Sequence, residues 1–554
     1  MMSIVPVKNN SDSHVVMRDQ YGWEVFHKGN IKLWFCGYMY GISIENLLDQ
    51  VHKIVGSNLE SDIILNWIKN INGHFAFVIE FNSLVIASVD KICSIPLFFA
   101  DNNGDILISN HAPFLKKKCN LGSDDLDDSA VLEVSMSGYT IGNKTFYKDI
   151  KRLESGECLL LRENLHNVER YYTYSPWKVI DRSENELQSE FLHICLKIFK
   201  RIKDHVGDRQ IVIPLSAGND SRLIISGLKE VGVKNVVCVS YGRRGNFETP
   251  ISKDIAGKLG YDLVYIADKL KDKRRFFQSE VYQKYIEAFE SFSYTHSIQE
   301  VYEVFLLKQT KAVDNDAVII NGSCGDFISG GHIRPTLDID HTPNNVDEIS
   351  WDKFLDKHFS LWEDLRVLDN DSYIKSELKK TLLSRITDPI DFNKYQYAAM
   401  ECSEFIGRQS KIVMGQQRTY EYYGYEWMLP LWSDEMLFFW ESVPYQYKLD
   451  QYLYTKALYE SNWGNVWHDI KVNNKIIRPF LLRWFRLILI IIFIPMGRSK
   501  WHRFEKNVLE YFMHPSYALT VTSYLSVLFD RKGHRGAYSW LSSQMIKSIK
   551  KKKC

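Results

Sequence analysis

A chain of 554 residues exceeds what one ordinary hydrophobic core supports, so two or more domains are expected. Its 45% hydrophobic and 25% charged residues exclude wholesale disorder, and a formal net charge of +1 offers no global field for a nucleic-acid partner. Nine cysteines, odd in number and never spaced C-x-x-C, read as reduced thiols in a cytoplasmic protein. The opening "MMSIVPVKNNSDSH" lacks the charged start and sustained apolar core of a signal peptide, so secretion is not expected.

From about Trp34 to Tyr171 the chain reads as short β segments: "KLWFCGYMYG", "HFAFVIEF", "SLVIASVD", "IPLFFAD", "DILISN" and "ECLLLREN". Gly, Asn and Asp punctuate them, which predicts sheet with tight turns and few long helices. An entry helix is predicted over residues 183–203, with Leu187, Phe191, Ile194 and Ile198 at helical spacing. The period then changes. "QIVIPLSAG", "NVVCVSYG" and "DLVYIA" read as buried strands that alternate with the helices "DSRLIISGLKEVG" and "TPISKDIAGKLG". That alternation predicts an α/β doubly wound parallel sheet, joined by a further strand in "DAVIING" and followed by a mainly helical remainder. The expected plan is a front domain over residues 1–180, an α/β domain over 181–470 and a helical C-terminal extension over 471–554.

In open α/β sheets, ligands collect beyond the carboxyl ends of the strands, where the loop "SAGND" sits. Ser216, Ala217 and Gly218 carry little bulk, so their backbone N–H groups can approach a phosphate at the positive end of the following helix. Asp220, just inside that helix, repels a bare phosphate unless a metal lies between them, which suggests a nucleotide with Mg²⁺. The alternative is an ordinary helix start, with Ser216 or Asn219 capping and Gly218 making the turn.

"LSAGNDSR" resembles the pyrophosphate-binding signature S-G-G-x-D-S of the asparagine synthetase family and its ATP-pyrophosphatase relatives. Ser216, Gly218, Asp220 and Ser221 match, whereas Ala217 stands where glycine is usual and requires a negative φ. "VIINGSCGDFISGGH", residues 318–332, is similar to the family's later loop G-E-G-x-D-E-x-x-x-G, with Asp326 on the metal-holding aspartate. Ser323 replaces a glutamate associated with amide formation, and Phe327 replaces an acidic neighbour. Downstream, Pro430, Asp434, Pro444 and Lys456 fall in the family's order. The resemblance implies ATP and Mg²⁺, with the metal on Asp220 and Asp326. It implies ATP contacts from Ser216, Ala217, Gly218, Asn219, Asp220, Ser221, Ser240 and Gly325, and catalytic roles for Asp326 and Lys456, the latter stabilising the departing pyrophosphate.

"INGHFAFVIEFNSLVIASVDKICSIPLFFA" resembles the core of the family's N-terminal glutaminase-type domain, an Ntn-type β-sandwich, through Gly73, Phe75, Ala76, Phe77, Asp90, Lys91, Pro96, Leu97 and Phe98. The family nucleophile is a cysteine directly after the initiator methionine, where this chain reads Met1, Met2, Ser3. Of the family's glutamine-holding loop only Gly37 matches, and Ser61 with Asp62 stands for a pair that grips the glutamine amine. The expectation is a degenerate glutaminase scaffold on an ATP-dependent amide-forming ligase that passes through an acyl-adenylate. Its partners are a small-molecule carboxylate and ammonia or an amine not drawn from glutamine by this chain. Proteins of this resemblance in bacterial polysaccharide loci suggest a sugar carboxylate as substrate, and the other reading is a family member that binds nucleotide or scaffolds without catalysis. Outside the resemblance, the apolar run over residues 487–494 is too short to span a bilayer. With the basic residues of 483–503 and the lysines from Lys547 to Lys553, it suggests peripheral contact with an anionic membrane face, or else a buried helix and a solvated tail.

Overall fold

The computed structural model describes residues 14–56, 60–102, 104–162, 165–338, 341–468, 480–514 and 521–551. Ser3 and the last three residues of the lysine tail lie outside them.

The front unit opens with strands β1 (Trp23–Lys28) and β2 (Ile31–Met39), then helices α1 (Ile44–Gly56) and α2 (Ser61–Lys69). Strands β3 (Gly73–Phe81), β4 (Leu84–Val89), β5 (Phe98–Asn102) and β6 (Asp105–Ser109) follow, with α3 (Ala112–Lys118) and α4 (Asp128–Ser137) after them. Strands β7 (Ile150–Arg152), β8 (Glu157–Arg162) and β9 (Leu165–Arg170) complete it. They form two antiparallel sheets, one ordered β1-β2-β3-β4-β8-β9 and the other β6-β5-β7. All six residues of β4 are buried, so the middle of the larger sheet is covered on both faces. The β segments recognised from alternation are present. β1, β7 and β9 and four helices join them, α1 being 13 residues long, where the turn-rich pattern predicted few.

Helix α5 (Glu184–Val206) enters the second unit through a capping box, in which Ser183 accepts from the Glu186 amide and the Glu186 carboxylate accepts from the Ser183 amide. Beyond it come β10 (Ile211–Pro214), α6 (Asn219–Glu230), β11 (Val236–Gly242), α7 (Glu248–Leu259), β12 (Asp262–Ala267), β13 (Val318–Ile320) and β14 (Glu426–Met428). The sheet is parallel throughout, ordered β12-β11-β10-β13-β14. The chain winds outward from β10 in one direction, then returns and continues from β13 in the other. The crevice between the carboxyl ends of β10 and β13 is therefore the switch point at which such sheets bind ligands.

The units are joined by buried chemistry. Lys91 Nζ lies 2.8 Å from Asp434 Oδ2 with both side chains largely buried, a pair whose partners come from two stretches of the family resemblance. Tyr172 Oη and the Ser175 amide each donate to Glu441 Oε1 at 2.8 Å. Farther on, the helix Phe480–Phe493 stands out from the body, and the helix Ala537–Lys551 packs back onto it through Leu541 and Met545. Among the described residues no helix is long and apolar enough to cross a membrane.

Candidate functional site

A cavity of about 530 Å³ opens at the switch point. Its floor is the loop after β10. Ser216 N donates to Ser221 Oγ at 3.2 Å, the two hydroxyls lie 3.1 Å apart, and Gly218 N donates to Ser216 Oγ at 3.1 Å. The loop is thus folded over its own small side chains, with Gly218 at the N-cap of α6 in extended backbone and no side-chain cap. Ala217 is fully buried and does not adopt a positive φ, so alanine is accommodated where the resembling signature has glycine.

The loop after β13 closes against this one because its glycines permit it. A Cβ at Gly325 would meet Asp220 Cγ at 2.5 Å, and one at Gly322 would meet the Asp220 carbonyl carbon and the Ser221 amide nitrogen at 2.9 Å. The two aspartates come together as a result, through the Asp326 backbone. The Asp326 amide donates to Asp220 Oδ2 at 3.2 Å, and Tyr454 Oη donates to Asp220 Oδ1 at 2.8 Å. Burial, reinforced by the Asp326 charge, pushes the Asp220 carboxyl up to about 7. For Asp326 burial acts in the same sense, but His332, 3.3 Å away, outweighs it and holds that carboxyl below the ordinary range.

Of the residues expected to contact ATP, Ser216, Gly218, Asn219, Asp220, Ser221 and Ser240 line the cavity, as does Asp326. Ala217 and Gly325 sit behind it, the first buried beneath the loop and the second against Asp220. Lys456 is not brought to the wall. Its Nζ pairs with Glu184 at the start of α5 and lies 3.8 Å from Glu460, while Gln451 and Tyr454 of the same segment turn toward the site. Ser323 lines the cavity with its amide and hydroxyl both donating to Asn321 Oδ1, at 2.7 and 2.6 Å.

Sequence reasoning missed the far wall. Glu300, in left-handed backbone at φ 62° before the helix Val301–Thr310, accepts from Tyr241 Oη and Tyr420 Oη. Glu248, at the start of α7, also lines the cavity. Among the described residues the wall therefore carries four carboxylates, Asp220, Glu248, Glu300 and Asp326, and no lysine, arginine or histidine. A polyphosphate enters such a space only with a cation that screens it. The adjacent pair of hard oxygen donors, one of them holding its proton up to about 7 for want of a counter-charge, fits Mg²⁺ that takes its remaining ligands from phosphate and water.

In the front unit the glutamine-binding equivalents are built into the sheet. Gly37 lies at φ 104°, and a Cβ there would meet the His74 carbonyl oxygen at 2.1 Å, so the position requires glycine. Tyr38 Oη and His74 Nδ1 are hydrogen-bonded at 2.5 Å, and His74 Nε2 bonds the Trp432 carbonyl of the second unit at 3.3 Å. Ser61 and Asp62 form the first turn of α2, with Asp62 exposed. Eight of the nine cysteines are described, and all are unpaired. Burial pushes the Cys36 thiol well above its usual value and Cys93 up to about 12, so neither is an activated nucleophile.

Residues 63–172 match the family model of the glutamine amidotransferase domain, which covers a minority of the chain. No curated protein matches the sequence. Among solved structures, the chain is similar to an allosteric regulatory enzyme of purine biosynthesis at 12% identity, covering 44% of this chain and 62% of that one with a TM-score of 0.18. It is also similar to the glutamine phosphoribosylpyrophosphate amidotransferase of B. subtilis complexed with ADP and GMP, at 10% identity, 56% and 59% coverage and a TM-score of 0.17. The chain spans about three-fifths of the length of each, and neither likeness bears on what it does.

Proposed function

We propose that the protein is an ATP-dependent ligase that activates a carboxylate as an acyl-adenylate and passes the acyl group to an amine. The carrying observation is the cavity at the β10–β13 switch point, where a small-residue loop at a helix N-terminus faces two apposed carboxylates. A substrate carboxylate oxygen attacks the α-phosphorus of ATP, the bond from that phosphorus to the bridging oxygen breaks, and pyrophosphate leaves onto the loop of residues 216–221. Ammonia or an amine then attacks the acyl carbon, AMP departs and a proton is released with the amide. Bound Mg²⁺ would neutralise the phosphate charge, with Asp220 and Asp326 as its protein ligands. Tyr454 orients Asp220 through its 2.8 Å hydrogen bond, and the Asp326 amide fixes the other oxygen.

The amidotransferase-type front domain acts in this reading as a scaffold, and the amine comes from elsewhere. Its buried, unactivated Cys36 and Cys93 and its fully packed Tyr38–His74 contact support that role. Calorimetric titration of the full chain with ATP tests the proposal: binding that requires Mg²⁺ and is lost in Asp220→Asn is expected, and Mg²⁺-independent binding that survives Asp220→Asn would overturn it. Glutamate release from glutamine by the purified chain would overturn the scaffold role.

A second reading concerns location. The helix Phe480–Phe493 leaves Ile488 59%, Ile491 67% and Ile492 57% exposed, an apolar face of the kind that marks an interaction site. Residues 480–504 hold five arginines and lysines and no acidic residue, so the occupant that fits is an anionic lipid surface into which this short helix dips. Sedimentation with phosphatidylcholine vesicles, with and without phosphatidylglycerol, is expected to show binding to the anionic vesicles alone, lost in Ile488→Glu with Ile491→Glu. Equal sedimentation of the variant, or its conversion of a dimer to a monomer, would contradict this and assign the face to a second copy of the chain.

A further inference from the structure

A second cavity, of about 360 Å³, has a lining residue in contact with one of the first. The two meet at one contact. Asp326 belongs to the wall of the nucleotide cavity, His332 to the wall of the second, and the pair is 3.3 Å apart. The second cavity has the opposite character, with Lys357, Arg408 and Arg535 among its lining.

The balancing charge is short. Glu404, buried beneath the cavity, lies 3.5 Å from Lys357 Nζ and 3.9 Å from Arg408, and it also serves His332 and His358 at 2.6 and 3.0 Å. Arg535 directs its hydrogen bonds to the carbonyl oxygens of Asp356 and Lys357 and to Ser360 Oγ; among the described residues no carboxylate is in ion-pair contact with it, and the Asp356 charge acts on it only from farther off. Lys357 and Arg408 thus share Glu404 with two histidines, and Arg535 has no carboxylate contact among the described residues, an arrangement in a partly enclosed space that favours an anion from solution. The architecture holds them there. Arg408 rides on a nine-residue π-helical stretch, Phe405–Val413, a wide turn of the kind that recurs at binding sites. Arg535 is delivered by the segment after residue 521, which lies beyond the stretch that resembles a synthetase.

Resting on the reading of the first cavity as the ATP site, we infer that the second cavity holds a further anionic group of the carboxylate substrate. The substrate is then at least a dianion. One carboxylate reaches past His332 toward Asp326 and the nucleotide, and the other group, a carboxylate or a phosphate, is clasped by Lys357, Arg408 and Arg535. Monocarboxylates of the same size bring no second anion to Lys357, Arg408 and Arg535 and bind worse.

The test is direct binding to the full chain without ATP, by calorimetry, of matched probes: butyrate, succinate and phosphoglycolate. Wild type is expected to bind at least one dianion and to bind butyrate about tenfold more weakly or not at all. Arg408→Gln and Arg535→Gln each weaken that dianion by about tenfold while Mg²⁺-dependent ATP binding is unchanged, and Arg408→Lys retains part of it. Preference between succinate and phosphoglycolate tells whether the second anion is carboxylate or phosphate. Equal binding of butyrate and both dianions, or a wild-type profile in both glutamine variants at unchanged melting temperature, would overturn the inference and leave the ATP site standing. Absence of ATP binding with intact dianion binding would instead remove the nucleotide reading.

Discussion

Two cavities that meet at the Asp326–His332 pair have opposite electrostatic character among the described residues: one is lined by four carboxylates and no cation, the other by Lys357, Arg408 and Arg535, the first two of which lie near the buried Glu404. Each is an unfinished charge balance. The acidic cavity admits a polyphosphate only together with a divalent cation, whereas the basic one needs an anion and no metal. In the proposed reading they would divide an ATP-dependent activation into a nucleotide half and an acid half, with the reacting carboxylate at the boundary.

The comparison breaks most sharply if the acidic pair is dismantled. Asp326→Asn leaves Asp220 as the one remaining carboxylate at the metal position, and pyrophosphate exchange into ATP should fall about 100-fold or more, read with labelled pyrophosphate. A smaller effect is expected at Gly325→Ala, whose Cβ would lie 2.5 Å from Asp220 Cγ and must displace that carboxylate. Overpacking there should cost about 1–3 kcal/mol in denaturant unfolding and about tenfold in exchange, with dianion binding in the neighbouring cavity retained.

Glu441, a buried carboxylate outside both cavities, sharpens the contrast with the smallest expected effect. Burial pushes its carboxyl up to about 7, against the hydrogen bonds it accepts from Ser175 and Tyr172. The folded state therefore binds this proton more tightly than the unfolded chain, and stability falls as pH rises from the ordinary glutamate range through about 7. Glu441→Gln should flatten that decline in melting temperature between pH 5 and about 7.5 and leave exchange at wild-type level.

Much of the acidic half was legible in sequence because its signals are local. A buried strand, a run of Ser216, Ala217 and Gly218 and a helix at 3.6-residue spacing lie within one short stretch, and the loop carrying Asp326 repeats that grammar. The rest depends on contacts between distant positions. Tyr454 reaches Asp220 across 234 residues, and Glu300 faces the same cavity through a single left-handed residue that no periodicity announces. Lys456, expected at the phosphates from its place in a motif, faces Glu184 because the turn of its helix sends Tyr454 inward instead. The basic half was illegible for the same reason: Lys357, Arg408 and Arg535 come from three separate segments, and each alone reads as a solvated charge. The front sheets followed from alternation, whereas β7, three residues long, offers too few positions for a period to register.

The central claim is tested most directly by pyrophosphate exchange into ATP on the full chain, with dianionic acids supplied. Exchange is expected to require both Mg²⁺ and the acid and to disappear in Asp220→Ala. Exchange at wild-type rate in Asp220→Ala, or no ATP binding at millimolar concentration, would contradict that claim.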